Sequence, residues 1–121
     1  MKFELENLFH HESDLCGVPA DQTLFSEGDT GDVMYVLMSG TANILVNGKV
    51  VEQAVRGTML GEMSVIEDGA LRSATVVTTS ECKFVPVDQA RFKFLIQNTP
   101  NFGIHVMRVI ANRLRCTNKL I

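Results

Sequence analysis

The chain has 121 residues, 45% of them hydrophobic, and a formal net charge of −3. That length suits one domain with one packed core, and the acidic balance without a basic block argues against direct nucleic-acid binding by this chain. No run approaches the ~18 apolar residues of a membrane span, and the opening "MKFELENLFHHESD" is polar and acidic rather than a signal peptide, so a cytoplasmic location is expected.

The opening segment, 1–14, is expected to be an N-terminal helix, with Leu5, Leu8 and Phe9 of "ELENLFHHE" on one side. Glycines then punctuate the middle of the chain at 28, 31, 40, 48, 57, 61 and 69, between short β-prone runs such as "VMYVLMSG", "TANILVNG", "KVVEQAV", "ATVVTT" and "CKFVPVD". Many short strands at this spacing predict an antiparallel sandwich or barrel over 15–88. "VNGK" at 46–49 is the strongest hairpin signal, because Asn-Gly accepts the positive φ angles of a type I′ turn, and Ala42, Ile44 and Val46 can share one face.

The region 88–121 is expected to be helical. Asp88 is a good N-cap for a helix over 88–98 carrying Phe92, Leu95 and Ile96 inward. Pro100 opens a second helix near 101–120, in which Gly103, Met107, Ile110, Leu114, Thr117 and Ile121 step by four and three. Two packings stay open for that seam: against the chain's own β-domain, or in a homodimer through helix 101–121.

Three cysteines, Cys16, Cys82 and Cys116, are an odd number at wide spacing with no CxxC, so neither a disulfide framework nor a zinc site is indicated. They read as reduced, mostly buried thiols. His10, His11 and His105 lack metal-ligand spacing, so no metal site is expected.

The segment that bears chemistry is "LGEMSVIEDGALRSATV", 60–76. Gly61 lets the backbone approach a ligand closely, and a short helix over 63–67 would point N–H groups at an anion. Arg72, a planar five-donor fork, suits phosphate, and Ser73 adds a hydroxyl beside it. Glu62 only accepts hydrogen bonds and suits a hydroxyl donor. Together they fit a sugar phosphate, while the plain alternative is an intramolecular Glu62–Arg72 salt bridge.

"FSEGDTGDVMYVLMSGTANILVNGK" followed by "GTMLGEMSVIEDGALRSATVV" resembles the cyclic nucleotide-binding domain family, over almost the whole chain from Leu15 to Thr117. The family signature of Gly-Glu, a short helix, then Arg with a small residue, Ala and Thr reads here Gly61-Glu62 and Arg72-Ser73-Ala74-Thr75. The resemblance implies one cyclic nucleotide-binding domain over 1–121. Its fold would be mainly β with flanking helices: an eight-stranded antiparallel β-roll, or jelly roll, with an N-terminal helix, a short phosphate-binding helix and C-terminal helices. It implies a regulatory sensor rather than an enzyme, with a cyclic nucleotide as ligand and no cofactor. Glu62 would take the ribose 2′-hydroxyl and Arg72 the cyclic phosphate. Gly61, Met63 and Ser64 would complete the anion site through backbone N–H groups, and Ser73 would reach the phosphate or the base edge.

The eleven positions from Gly61 to Arg72 and the pair Arg-Ser look like the bacterial catabolite activator (cyclic AMP receptor protein) branch more than the kinase or channel branch. This favours cyclic AMP, with cyclic GMP as the alternative ligand. "IANRLRCTNKL" looks like that branch's central helix, which places Thr117 at the adenine, Asn118 beside it and Arg113 on the phosphate side. Asn118 stands where the family has serine. That branch continues into a helix-turn-helix domain, of which these residues contain nothing, so a free-standing module and a piece of a longer protein both stay open.

Three rival readings remain. A degenerate roll could serve as an interaction or dimerisation unit without ligand, which intact Glu62 and Arg72 oppose. A cupin-like enzyme needs a metal-binding His and Glu cluster, and the strand segments hold no histidine. A haem or iron–sulfur sensor would need a cysteine cluster, and only Cys16 lies near the N-terminus.

Overall fold

The computed structural model describes residues 3–119, with side chains described to residue 116. Eight strands form two four-stranded antiparallel sheets. They are β1 (Cys16–Val18), β2 (Thr23–Phe25), β3 (Val33–Ser39), β4 (Ala42–Val46), β5 (Lys49–Ala54), β6 (Met59–Leu60), β7 (Thr75–Thr78) and β8 (Cys82–Asp88). The sheet orders are β1-β8-β3-β6 and β2-β7-β4-β5. Apart from the β4–β5 hairpin, strands next to each other in sequence lie in different sheets, as in a β-roll, the predicted fold class.

Period-two alternation explains how β3 and β8 serve two cores at once. Leu37, Cys82 and Phe84 point into the roll with Phe25, Ala42, Ile44, Ala54, Leu60 and Val76. Met34, Val36, Met38, Val85 and Val87 point the other way, against the helices, where they meet Leu5, Phe9, Phe92, Phe102 and Val106. The β4–β5 hairpin turns at Asn47-Gly48, both at positive φ (52° and 78°), as the Asn-Gly signal predicts.

The N-terminal segment is a single 3-10 turn, Leu5–Phe9, rather than a longer helix. So few residues cannot offset the cost of helix nucleation, and the turn is held by its buried Leu5 and Phe9. Three α-helices follow: α1 (Met63–Ile66), α2 (Gln89–Asn98) and α3 (Pro100–Lys119). Asp88 caps α2, its Oδ1 accepting from the Arg91 N–H at 2.8 Å. Phe92 and Leu95 pack inward as expected, whereas Ile96 is 39% exposed. Pro100 opens α3, where its missing N–H costs no helical bond.

The inner face of α3 differs from the predicted seam. Phe102, Val106, Val109 and Ile110 pack on the helix-side core, while Met107 and Leu114 are 64% and 60% exposed. Ile121 of that seam lies outside the described residues. The cysteines also differ from expectation: Cys82 is buried, but Cys16 and Cys116 are exposed. Both occupy ends of elements, where neither sheet interior nor helix core covers them. No described helix is long and apolar enough to cross a membrane.

Candidate functional site

A cavity of about 610 Å³ opens between the roll and α3. Its walls come from the roll interior (Phe25, Ile44, Leu60, Val76), from the loop and helix 61–64, from the segment 71–74, and from Val109, Asn112, Arg113 and Cys116 of α3. The size and largely apolar lining match a small-molecule site, in which a few polar groups fix orientation.

Arg72 supplies the most unusual of those groups. It lies just before β7, and both its backbone groups are fastened to one turn. Its N–H donates to Asp29 O at 2.8 Å, and its carbonyl accepts from the Gly28 N–H at 2.9 Å. The side chain is buried, and its guanidinium carbon lies 4.2 Å from the centroid of the Phe25 ring. Nη1 donates to Ser64 Oγ at 2.9 Å and, more weakly, to Gly61 O at 3.5 Å. Nε has no hydrogen-bond partner among the described residues, and no described carboxylate lies within ion-pair distance. Burial lowers the guanidinium's pKa from the ordinary arginine value, against the smaller opposing pulls of Tyr35, Asp32 and Asp29. A buried cation without an acid partner is costly unless something negative occupies the space beside it.

Two glycines make room for this guanidinium. A Cβ on Gly31 would lie 2.4 Å from Nη2, and one on Gly61 would lie 2.3 Å from Nη1. Gly61 also sits at φ +73°, a region only glycine enters freely.

Glu62, 7% exposed, stands at the opposite end of the short α1 turn from the loop that leads to Arg72. It does not pair with Arg72, so the intramolecular salt bridge considered from sequence is absent. Its Oε2 instead accepts from Arg113 Nη1 at 2.8 Å. Arg113, on α3, also donates from Nε to Glu52 Oε1 at 3.0 Å and from Nη2 to Met59 O at 2.7 Å. Burial alone would lower the pKa of Arg113, but the Glu52 hydrogen bond and the Glu62 and Glu52 charges outweigh it and raise it. Arg113, expected from sequence on the phosphate side, is held in the structure by two carboxylates, Glu62 and Glu52.

The backbone donors are fewer than the sequence suggested. The N–H of Ser64 is taken by Gly61 O at 3.1 Å, and that of Val65 by Glu62 O at 3.2 Å. The N–H groups ahead of them, of Glu62 and Met63, have no intrahelical acceptor by helix geometry. The Ser64 hydroxyl, once it accepts from Arg72, still has its own proton to donate.

One cavity wall thus carries a buried cation with no acid partner among the described residues and a buried carboxylate, groups that can hold an anionic, hydroxyl-bearing small molecule. Residues 16–99 match the family model described as the cyclic nucleotide-binding domain. The chain belongs to the cyclic nucleotide-binding domain family.

Among its relatives is the cAMP-activated global transcriptional regulator CRP of Pasteurella multocida, 30% identical over 108 residues, 85% of this chain and 52% of that protein. Another is the Pycsar effector protein XpPycTIR of Xanthomonas perforans, 29% identical over 108 residues, 89% of this chain and 36% of that one. The chain thus spans about half the length of these curated relatives or less. The cAMP-bound structure of PfPKA-R superposes with a TM-score of 0.78 at 25% identity, covering 88% of this chain and 36% of that one. As a member of this family the chain is a nucleotide-binding module of the regulatory kind.

Seven of the residues singled out from sequence, Gly61, Glu62, Met63, Ser64, Arg72, Ser73 and Arg113, line this one cavity of the cyclic nucleotide-binding domain. The side chains of Thr117 and Asn118 lie outside the described residues. Sequence reasoning missed Phe25, Gly31, Glu52, Asn112 and Cys116. Gly31 was visible as a turn glycine, and Cys116 adjoins Thr117 in the motif read as the central helix. Glu52 lies 61 positions from its partner Arg113, and nothing local signals the pairing.

Proposed function

We propose that this module binds a cyclic nucleoside monophosphate, with cyclic AMP preferred over cyclic GMP, and reports occupancy through α3. The observation that carries the reading is Arg72, a buried guanidinium that lines the cavity and lacks an acid partner among the described residues. A cyclic phosphodiester would supply the missing charge, with Ser64, Ser73 and the N–H groups of Glu62 and Met63 as further donors. Glu62 would accept from the ribose 2′-hydroxyl. The preference for cyclic AMP rests on the CRP relative and on the spacing of Gly61 and Arg72. The setting of a diffusible second messenger makes this a cytoplasmic sensor.

Reporting follows from the Glu62–Arg113 bond, because the carboxylate that would hold the sugar already holds α3. A ligand shifts an equilibrium only through contacts that differ between two states, and this bond would be such a contact once a sugar hydroxyl claims the Glu62 carboxylate. The exposed Met107 and Leu114, seven positions apart on α3, would join two copies in a homodimer.

Titration with a fluorescent cyclic AMP tests the reading. Arg72→Ala weakens binding roughly thirtyfold or more, because losing the partner of a buried charge costs about 2–5 kcal/mol. Glu62→Ala costs less and brings the affinities for cyclic AMP and its 2′-deoxy analogue together. Unchanged affinity in Arg72→Ala removes the assignment. Failure of the unaltered chain to bind either cyclic nucleotide leaves a roll that serves only as an interaction unit.

A further inference from the structure

We propose that Cys116 is a modification site inside the ligand cavity, where a mixed disulfide with a low-molecular-weight thiol excludes the nucleotide. The inference rests on the nucleotide reading of the cavity above.

The three cysteines occupy three different environments. Cys82 is fully buried in the roll, its Sγ donating to Thr41 O at 3.2 Å and Ser80 O at 3.3 Å. Cys16 is exposed on β1, at the edge of its sheet, and is no part of the cavity wall. Cys116 is also exposed, but it lines the cavity. It shares one face of α3 with Val109, Asn112 and Arg113, which lie seven, four and three positions before it and line the same space. That this space takes a ligand is independent of the thiol: Arg72, 7% exposed, lines it and has no acid partner among the described residues.

Access decides which thiol reacts. Cys82 is closed to reagents, Cys16 reacts without consequence for the cavity, and Cys116 reacts into it. The step is thiol–disulfide exchange. The Cys116 thiol loses its proton to solvent, and its sulfur attacks one sulfur of a small disulfide. A new S–S bond forms, the old one breaks, and the other half leaves as a thiolate. The attached group then stands on the wall between α3 and the roll. It occupies volume the nucleotide needs, and it separates α3 from the face it covers. Conversely, a bound nucleotide covers Cys116. Redox state and nucleotide occupancy thus become mutually exclusive inputs to one cavity.

The test treats the whole chain with N-ethylmaleimide, and separately with oxidised glutathione, and reads Cys16 and Cys116 by peptide mass spectrometry, with and without cyclic AMP. Calorimetry on untreated protein measures nucleotide binding directly. At about a hundred times its dissociation constant the nucleotide leaves roughly one molecule in a hundred unliganded, so Cys116 alkylation slows at least tenfold. Cys16 alkylation continues unchanged and serves as the internal control. Glutathionylated protein loses about tenfold or more in affinity, as expected when a side group fills a pocket that encloses most of its ligand. Dithiothreitol restores the affinity. Cys16→Ser keeps this sensitivity, and Cys116→Ser shows no affinity difference between treated and untreated samples. Calorimetric binding with equal Cys116 labelling in both conditions, or with full affinity after glutathionylation, overturns the inference and leaves the nucleotide reading standing. No heat with either cyclic nucleotide overturns both.

Discussion

The carboxylate of Glu62 and the guanidinium of Arg113 meet at 2.8 Å across the boundary between the β-roll and α3. Arg113 also reaches Glu52 and the Met59 carbonyl, so one side chain ties α3 to β5, β6 and the ligand cavity. Arg113→Ala leaves two carboxylates facing each other without their shared cation. Because the pair is partly exposed, the expected loss is about 2 kcal/mol, between surface and fully buried ion pairs. Urea denaturation measures it. Arg113→Lys does not restore the loss, since an ammonium cannot span two carboxylates and a carbonyl in the same plane. Amide exchange in α3 should also cease to respond to nucleotide in Arg113→Ala.

Gly31 offers a test of the guanidinium slot that leaves the arginine in place. The Cβ of Gly31→Ala would meet Nη2, the guanidinium carbon and Nε of Arg72 at 2.4–2.6 Å. Gly31 does not carry a positive φ, so the backbone tolerates alanine. The clash is relieved by moving the guanidinium off Ser64. The expected result is about tenfold weaker nucleotide binding with about 1–3 kcal/mol of lost stability. Parallel calorimetry and thermal melting separate the two effects; an equal affinity in Gly31→Ala would show that the slot does not position the charge.

Met107 and Leu114 carry the oligomer prediction. Both are more than half exposed on α3 and contribute little to the chain's own core. Placing aspartate at both, Met107→Asp with Leu114→Asp, should convert a dimer to a monomer in sedimentation velocity. The melting temperature measured at low protein concentration should change little. A wild-type chain that sediments as a monomer at high concentration removes the dimer.

His105 gives the molecule an acid-side weakness. Its ring packs 5.2 Å from that of Phe3, and burial lowers its pKa below the ordinary 6.5, with Glu6 opposing and Arg108 assisting. A lowered folded-state value means the unfolded chain takes the proton more readily. The stabilisation is therefore complete above about pH 6.5 and is lost as pH falls from there through the folded-state value. His105→Gln should flatten that part of the stability–pH curve in urea titrations, while wild type declines.

Local signals carried most of the fold. Asn47-Gly48 specified its hairpin, Asp88 its helix cap and Pro100 the start of α3, because each acts through its own backbone. Gly61, Glu62 and Arg72 were legible for a related reason: their residue types and spacing form a compact pattern. What escaped were relationships set by packing. Of the two packings left open for the seam on α3, the one against the chain's own domain uses Phe102, Val106, Val109 and Ile110 rather than Met107 and Leu114. Glu52 and Gly31 owe their roles to Arg113 and Arg72, which only the folded chain brings beside them.

The corner at Thr99 and Pro100 has a mechanical consequence. Beyond it α3 runs as one unbroken rod of 20 residues, which at 1.5 Å per residue is about 30 Å. Swinging that rod by about 10° about its proline end carries the far tip through roughly 5 Å. Arg113 grips it well beyond the midpoint, so an ångström of displacement at Glu62 arrives enlarged at the tip.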